Sequence, residues 1–280
     1  KLKLIELEEV VKLNFITCSF LFMELQSSFL IDIYKRNYND FEVSNILTLF
    51  NRDLHQRILH QRDLNLDYDI SIDNFKNSFE KINHKSKKIV YISKETNLPK
   101  ETTRRKVAFL LKKKIIRIGK KGYLFQSSIV NINEFNFHQT SQINSLIKFA
   151  NEMFNNINLK NSYENVEFNI KKDYSFYSYH YLKLFLEWTS LWQKKYHDLD
   201  LLIIYLQCLI KNYFFYQKQG IKTYKDFYLK KSISKINMAE ISIGASTISD
   251  ITNIPRSTCI RKLDKLCALK ILSKDEWKRY

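Results

Sequence analysis

The chain has 280 residues, a net charge of +17, 45% hydrophobic residues and 14% aromatic residues. This hydrophobic content excludes a disordered chain, and the length is sufficient for two domains with separate cores. With only four glycines and two prolines, the sequence favours long helices joined by short connections, so we predict a mainly α fold.

The N-terminal part of the chain has helical periodicity over about residues 4–34, 41–60 and 73–83. Asp40 precedes the second apolar run, where an N-cap residue is expected. The most apolar stretches, 13–30 and 199–216, contain Glu24 and Lys211, which favours core helices over membrane spans. No signal-peptide pattern opens the chain, and the four cysteines lack metal-ligand spacing. We therefore expect a cytoplasmic protein without a metal or other cofactor.

A strongly basic segment follows, from Lys85 to Lys121. Its 37 residues contain 14 basic side chains and only two acids, a net charge of +12. AT-rich codon usage raises the lysine content of a whole protein, but it does not place most of the excess in one segment. The distribution therefore indicates a polyanionic partner such as nucleic acid.

Within this segment the sequence predicts two helices, a tight turn between them and a hairpin. Asn97-Leu98-Pro99 predicts the turn, because Asn tolerates a left-handed backbone and Pro suits the start of a helix. An apolar stripe in the next helix, near 100–113, predicts a buried face opposite a basic one. The β-prone runs at 115–118 and 123–125 flank Gly119-Lys-Lys-Gly122 and predict a hairpin.

The second half of the chain repeats this pattern after predicted helices at about 141–157, 175–196, 199–218 and 223–231. Residues 248–274 align without a gap on 92–118, with eleven of 27 positions identical, and both prolines are equivalent. A fainter echo pairs Asp40 with Asp198. We therefore predict two duplicated halves, 1–135 and 136–280, each a helical block followed by a winged helix-turn-helix. The winged units would span about 73–130 and 223–280, and the second wing is incomplete because the chain ends at Tyr280.

Both copies of the unit resemble the winged helix-turn-helix of bacterial transcription regulators, particularly the IclR-like pattern Gly-Leu-Pro-Arg-Ser-Thr-Val-x-Arg. The matching residues are Asn97–Arg105, reading NLPKETTRR, and Asn253–Arg261, reading NIPRSTCIR. Asn replaces the turn Gly in both copies. The resemblance covers about 35 residues of each copy. It does not include the effector domain of the family, so a small-molecule response is not carried over and the effector stays unknown.

The resemblance implies a sequence-specific, double-stranded DNA-binding transcription regulator, associated with the nucleoid. A palindromic site would be read by a homodimer, or by the tandem units of one chain. For each candidate residue the alternative is a solvated helix face. The candidate DNA-binding residues are Lys100, Glu101, Thr102, Arg104 and Arg105 on the first helix, Lys120 and Lys121 on the hairpin for phosphates, and Arg256, Ser257, Thr258 and Arg261 in the second copy.

The leading alternative is a chromosome-organising or replication-associated scaffold that binds protein and, non-specifically, DNA. A scaffold would show little sequence preference, whereas a regulator shows a large specificity ratio. An enzyme is not expected, because the sequence has no P-loop, GxSxG, HExxH or dinucleotide fingerprint.

Overall fold

The computed structural model describes residues 4–78, 86–126, 132–156, 165–230, 238–275 and 279–280. These residues are mainly helical, which confirms the predicted mainly α class, and they include a two-stranded antiparallel sheet. The helices are α1 Leu4–Leu13, α2 Phe15–Arg36, α3 Phe41–Leu64, α4 Ile72–Ser78, α5 Ile89–Thr96, α6 Lys100–Lys112, α7 Ile132–Asn156, α8 Val166–Lys172, α9 Tyr174–Tyr196, α10 Leu199–Lys218, α11 Tyr224–Lys230, α12 Met238–Ile241, α13 Ala245–Thr252 and α14 Arg256–Ala268, and the strands are β1 Ile116–Gly119 and β2 Gly122–Phe125.

The helix expected over 4–34 is interrupted at Asn14, which separates α1 from α2. The Asn14 side chain donates a hydrogen bond to the Val10 carbonyl at 3.0 Å. Asn side chains compete with the backbone in this way, and this makes them poor residues for a helix interior.

The residues group into two compact units that are not consecutive in sequence. The α3 unit comprises Arg36–Ile147 and Asn165–Leu199, and the α10 unit comprises Lys1–Lys35, Lys148–Glu164 and Asp200–Tyr280. The predicted boundary between the duplicated halves, at 135/136, concerns the sequence repeat and stays a prediction. In space, α9 belongs with α3, α5 and α6, whereas α2 belongs with α10, α13 and α14.

The core of the α3 unit joins α3, α5, α6, β1 and α9. Its buried residues are Val43, Ile46, Leu49, Phe50, Ile92, Leu98, Val107, Leu110, Ile116 and Leu186. Burying each such side chain contributes about 1.5–3 kcal/mol, so the cluster contributes substantially to the stability of the unit. The contact of α3 with α9 is close because small polar residues lie in it, and Thr189 Oγ1 donates to Asn45 Oδ1 at 3.1 Å.

The α10 unit packs α2 against α10 through a mostly apolar contact. Leu201, Ile204 and Cys208 of α10 are buried. The buried Gln207 amide donates to Ser27 Oγ of α2 at 2.7 Å, which satisfies both groups away from water. These two helices belong to the same compact unit as α13 and α14, which contain the second copy of the repeat.

Among the described residues, α2 and α10 are long and apolar enough to cross a membrane, judged by length and composition alone. Core helices of folded proteins have the same length and composition, and 50% and 44% of the two apolar windows are buried inside the protein.

A buried histidine lies in the α3 unit beside a small cavity lined partly by Asn51, Gln139 and Tyr181. His55 is fully buried, its ring stacks on Phe75 at 4.7 Å, and neither ring nitrogen has a hydrogen-bond partner among the described residues. Burial lowers the pKa of His55 to about 3, since the charged imidazolium would be desolvated.

Each half of the sequence supplies a helix to the unit that contains the repeat of the other half, α9 to the α3 unit and α2 to the α10 unit. This exchange of helices predicts that neither half folds alone. A chain of residues 1–130 lacks α9, which exposes the face of α3 that contacts Leu186, and a chain of residues 131–280 lacks α2. We expect each chain alone to show no cooperative thermal unfolding by circular dichroism, and the two chains expressed together to co-purify and unfold cooperatively. A cooperative transition from either chain alone would contradict this arrangement.

His55 predicts a specific loss of stability in acid. Its pKa is about 3 when folded and about 6.5 when unfolded. Between these values the unfolded state binds the extra proton, so the free energy of unfolding falls by about 1.4 kcal/mol for each unit that the pH decreases. His55→Gln should remove about 2 kcal/mol of the difference between pH 6.5 and pH 5, measured by urea unfolding. His60→Gln, an exposed position on the same helix, is the control and should leave the pH dependence unchanged.

Candidate nucleic-acid interface

The turn between α5 and α6 has the geometry that its sequence predicts. Asn97 adopts the left-handed conformation, with φ 51° and ψ 26°, and ends α5. Pro99, at φ −52°, directly precedes α6, where a missing N–H costs nothing. Ser93 Oγ donates to the Leu98 carbonyl at 2.7 Å, and Leu98 is buried. The turn is therefore fixed by both backbone and side-chain contacts.

Helix α6 has one buried face and one exposed face. Thr103, Val107 and Leu110 are buried against the core of the α3 unit, and Thr103 Oγ1 donates to the Pro99 carbonyl at 3.1 Å. On the opposite side, the predicted residues Lys100, Glu101, Arg104 and Arg105 are exposed, and Thr102 is half-buried. Arg104 and Glu101 form an exposed ion pair of 3.0 Å, which contributes little to stability and can be broken by a ligand.

The hairpin follows α6 directly and places two lysines at its tip. Strands β1 and β2 pair in antiparallel register from Ile116↔Phe125 to Gly119↔Gly122. Lys120 and Lys121 occupy the turn and are exposed. Gly122 has φ +146°, and a Cβ there would collide with the Lys87 carbonyl, so only glycine fits.

Lys87 connects this hairpin to the rest of the unit. Its backbone N–H donates to the Tyr123 carbonyl at 2.8 Å, and the Tyr123 N–H donates back at 2.9 Å. Its side chain is 5% exposed and pairs with Asp53 of α3 at 2.7 Å. Burial lowers the pKa of Lys87 although the Asp53 carboxylate opposes the change. A lysine from the basic segment is thus used for structure.

Asp53 is the centre of a network of charged groups that joins α3 to α5. It accepts from Arg52 and from the Tyr91 hydroxyl at 3.1 Å. Arg52 in turn pairs with Glu95 of α5 at 2.8 Å. This network holds α5 and the segment of Lys87, which bridges to β2, on the same helix. No local sequence pattern predicts it, since Lys87 and Tyr91 lie 34 or more positions from Asp53.

A second buried pair anchors α6 itself. Lys106 is half-buried and pairs with Asp40, the N-cap of α3, and with Glu42 at 2.8 Å. Burial opposes its charge, but the hydrogen bonds to the two carboxylates raise the pKa of Lys106. The sequence contained a signal for this role, because Lys106 and Lys262 are identical in the two copies.

The second copy repeats the contacts of the turn and the pair made by Lys106. Asn253 is left-handed at φ 62°, and Ser249 Oγ donates to the Ile254 carbonyl at 2.7 Å. Cys259 is buried, as the apolar stripe predicts. Lys262 is buried and pairs with Asp200 at 3.3 Å, as Lys106 pairs with Glu42. The predicted residues Arg256, Ser257 and Arg261 are exposed, and Thr258 is half-buried.

The second copy also has a backbone bridge like the one that Lys87 makes with the first hairpin. The Ile243 N–H donates to the Tyr280 carbonyl at 2.8 Å, and the Tyr280 N–H donates back at 3.1 Å. These are the bonds that Lys87 and Tyr123 make in the first copy. Residues 276–278 of the predicted wing lie outside the described residues.

The structure thus places the candidate residues of each helix on one exposed face, with the two lysines on the adjoining hairpin. Comparison of the chain with protein-family models, with curated proteins and with solved structures finds no match. The argument for a function therefore rests on this geometry and charge.

The network around Asp53 predicts a strong dependence of stability on one carboxylate. Asp53→Asn leaves the buried Lys87 ammonium without its counter-ion, so we expect the free energy of unfolding to fall by about 3 kcal/mol in urea. Glu167→Gln, which removes the acid of an exposed helical pair with Lys171, is the control and should change it by less than about 0.5 kcal/mol. If both variants lowered the free energy of unfolding equally, Asp53 would not be the stabilising counter-ion of Lys87.

Proposed function

We propose that this chain is a DNA-binding transcription regulator of the cytoplasm that carries winged helix-turn-helix units in tandem and contacts double-stranded DNA through them, at least through the first. The observation that carries the proposal is the exposed basic face of α6, flanked by the basic hairpin tip. A helix that buries its apolar stripe and presents Lys and Arg on the other side has the properties needed to enter the major groove.

The contacts divide by chemistry. Lys100, Glu101, Arg104 and Arg105 lie in the first two turns of α6, and residues near the start of a recognition helix contact base edges. Arg can bond to guanine through two nitrogens, and an acidic side chain accepts from cytosine. Lys120 and Lys121 at the hairpin tip would bind phosphates, which increases affinity without selecting sequence.

The charge available for this contact is lower than the sequence count suggests. Lys87 and Lys106 are held by carboxylates within the protein. Lys100, Arg105, Lys120 and Lys121 have no ion-pair partner within the described part of the chain, and all four are exposed. The cations on the outer surface are therefore the ones that a polyanion can reach.

A scaffold role in chromosome organisation or replication remains the second candidate, and the milder charge of the second copy favours it. The two candidates differ in sequence selectivity. A regulator should enrich one short motif from a random library, whereas a scaffold should enrich none.

Fluorescence anisotropy with a random-sequence 30-base-pair duplex across a salt series tests DNA binding directly. We expect affinity to fall steeply with salt. Binding to a random-sequence duplex is mainly electrostatic, so there Arg104 and Arg105 would meet phosphates, and Arg104→Ala/Arg105→Ala should reduce the slope of log K against log salt by up to about 1.8, or 0.9 for each lost phosphate contact. Base-edge contacts would instead appear as a loss of affinity that depends on sequence.

The matched control is Lys172→Ala/Lys183→Ala, which removes two exposed lysines of α8 and α9 in the same unit. It changes the net charge equally and should leave the slope nearly unchanged. Absence of binding at low salt, or equal effects of the two double variants, would contradict the assignment of α6.

A further inference from the structure

The two copies of the repeat have the same inner contacts but different outer surfaces. Offset by 156 positions, Ser93, Thr96 and Lys106 of the first copy correspond to Ser249, Thr252 and Lys262, and each pair makes the same kind of bond. Because these inner contacts correspond, the exposed residues of α6 and α14 that differ by 156 positions occupy equivalent places on the two candidate DNA surfaces.

Positive charge is lost along the outer stripe of the second helix. In this stripe Arg104, Ala108 and Lys112 of α6 are replaced by Ile260, Asp264 and Ala268 of α14. All of these positions are exposed except Ile260, which is half-buried. Asp264 thus adds a carboxylate to this exposed stripe, where it pairs with Lys274. The replacement of Glu101 by Ser257 acts in the opposite direction, because it removes an exposed acid.

Two exposed positions near this helix show the same trend, although the replacements of Glu95 by Ile251 and of Phe109 by Lys265 act against it. Exposed Lys94 on α5 corresponds to exposed Asp250 on α13, and exposed Lys113 after α6 corresponds to exposed Leu269. Each replacement removes a cation from the rim of the surface, and the first also adds an acid.

Two described basic residues near the end of the second copy are paired within the protein. Lys274 binds Asp264 at 2.7 Å, and the Tyr280 hydroxyl donates to the same carboxylate at 2.8 Å. Arg279 binds Asp275 at 2.8 Å, and Asp275 also accepts from Ser242. In the first hairpin, Lys120 and Lys121 have no ion-pair partner among the described residues. These two pairs therefore reduce the free positive charge at the end of the second copy.

We propose that the two repeats are unequal: the first repeat binds DNA, and the second has lost this capacity because acidic side chains on its own surface neutralise it. The inference rests on the proposed DNA binding and identifies which unit performs it. One chain would then occupy one binding site on DNA, and the second repeat would serve its structural role in the α10 unit.

Two double variants at equivalent positions test the inequality in the full chain. Lys100→Ala/Arg105→Ala and Arg256→Ala/Arg261→Ala each remove two exposed cations from the first turns of α6 or α14. With the random-sequence 30-base-pair duplex, we expect the first variant to weaken binding by about tenfold or more at 0.1 M salt and the second by less than about twofold. Circular dichroism should show both folded, because these side chains lie outside the core.

Adding an acidic side chain to α6 tests the same inference without removing any basic residue. Ala108→Asp gives α6 the acid that α14 has at this position, and it should weaken binding by roughly tenfold through repulsion of phosphate. Lys265→Asp on α14 introduces an acid on the other helix and should have little effect.

The outcomes separate the two proposals. If the unaltered chain does not bind duplex DNA at low salt, the proposed function fails and the inequality fails with it. If the chain binds DNA but the two double variants weaken binding equally, DNA binding stands and the inequality is overturned. A loss confined to Lys100→Ala/Arg105→Ala and Ala108→Asp supports the inference.

Discussion

The burial of Thr103, Val107 and Leu110 against the core determines the orientation of α6, and the candidate DNA surface depends on that orientation. Side chains repeat every 3.6 residues along a helix, so fixing one stripe in the core fixes the stripe on the opposite side. The left-handed Asn97 and the following Pro99 set where α6 begins. Together they hold the basic side chains of α6 outward.

Lysine has two distinct uses in this protein, and only the structure separates them. Lys87 and Lys106 are withdrawn from solvent and paired with carboxylates of α3, so they hold the hairpin and α6 in place. Lys100 and Lys121 are exposed. A buried pair is costly to break because the remaining charge is left desolvated. Net charge in the sequence therefore overstates the electrostatic potential that DNA would meet.

Local features were accessible from the sequence, and long-range ones were not. The turn at Asn97, the buried stripe of α6 and the hairpin with Lys120 at its tip follow from backbone preferences and periodicity, which depend on neighbouring residues. Apolar periodicity in α9 predicts a helix with a buried face, but it does not identify α3 as the partner. Likewise, Asp53 resembles any acid on a helix, and its role depends on residues that only the fold brings close.

The exchange of helices explains why the inner and outer faces of the two repeats have diverged differently. In the duplication, the end of α2 corresponds to the end of α9, yet α9 packs with α3 and α2 packs with α10. Each half therefore supplies a helix to the unit that contains the repeat of the other half, as in a swapped pair of identical subunits. Loss of the inner contacts in either repeat would destabilise a unit built from both halves, so Lys106 and Lys262 keep the same role. The outer face of α14 is less constrained, because Asp264 is exposed and the residues that it bonds, Lys274 and Tyr280, lie within the second copy itself.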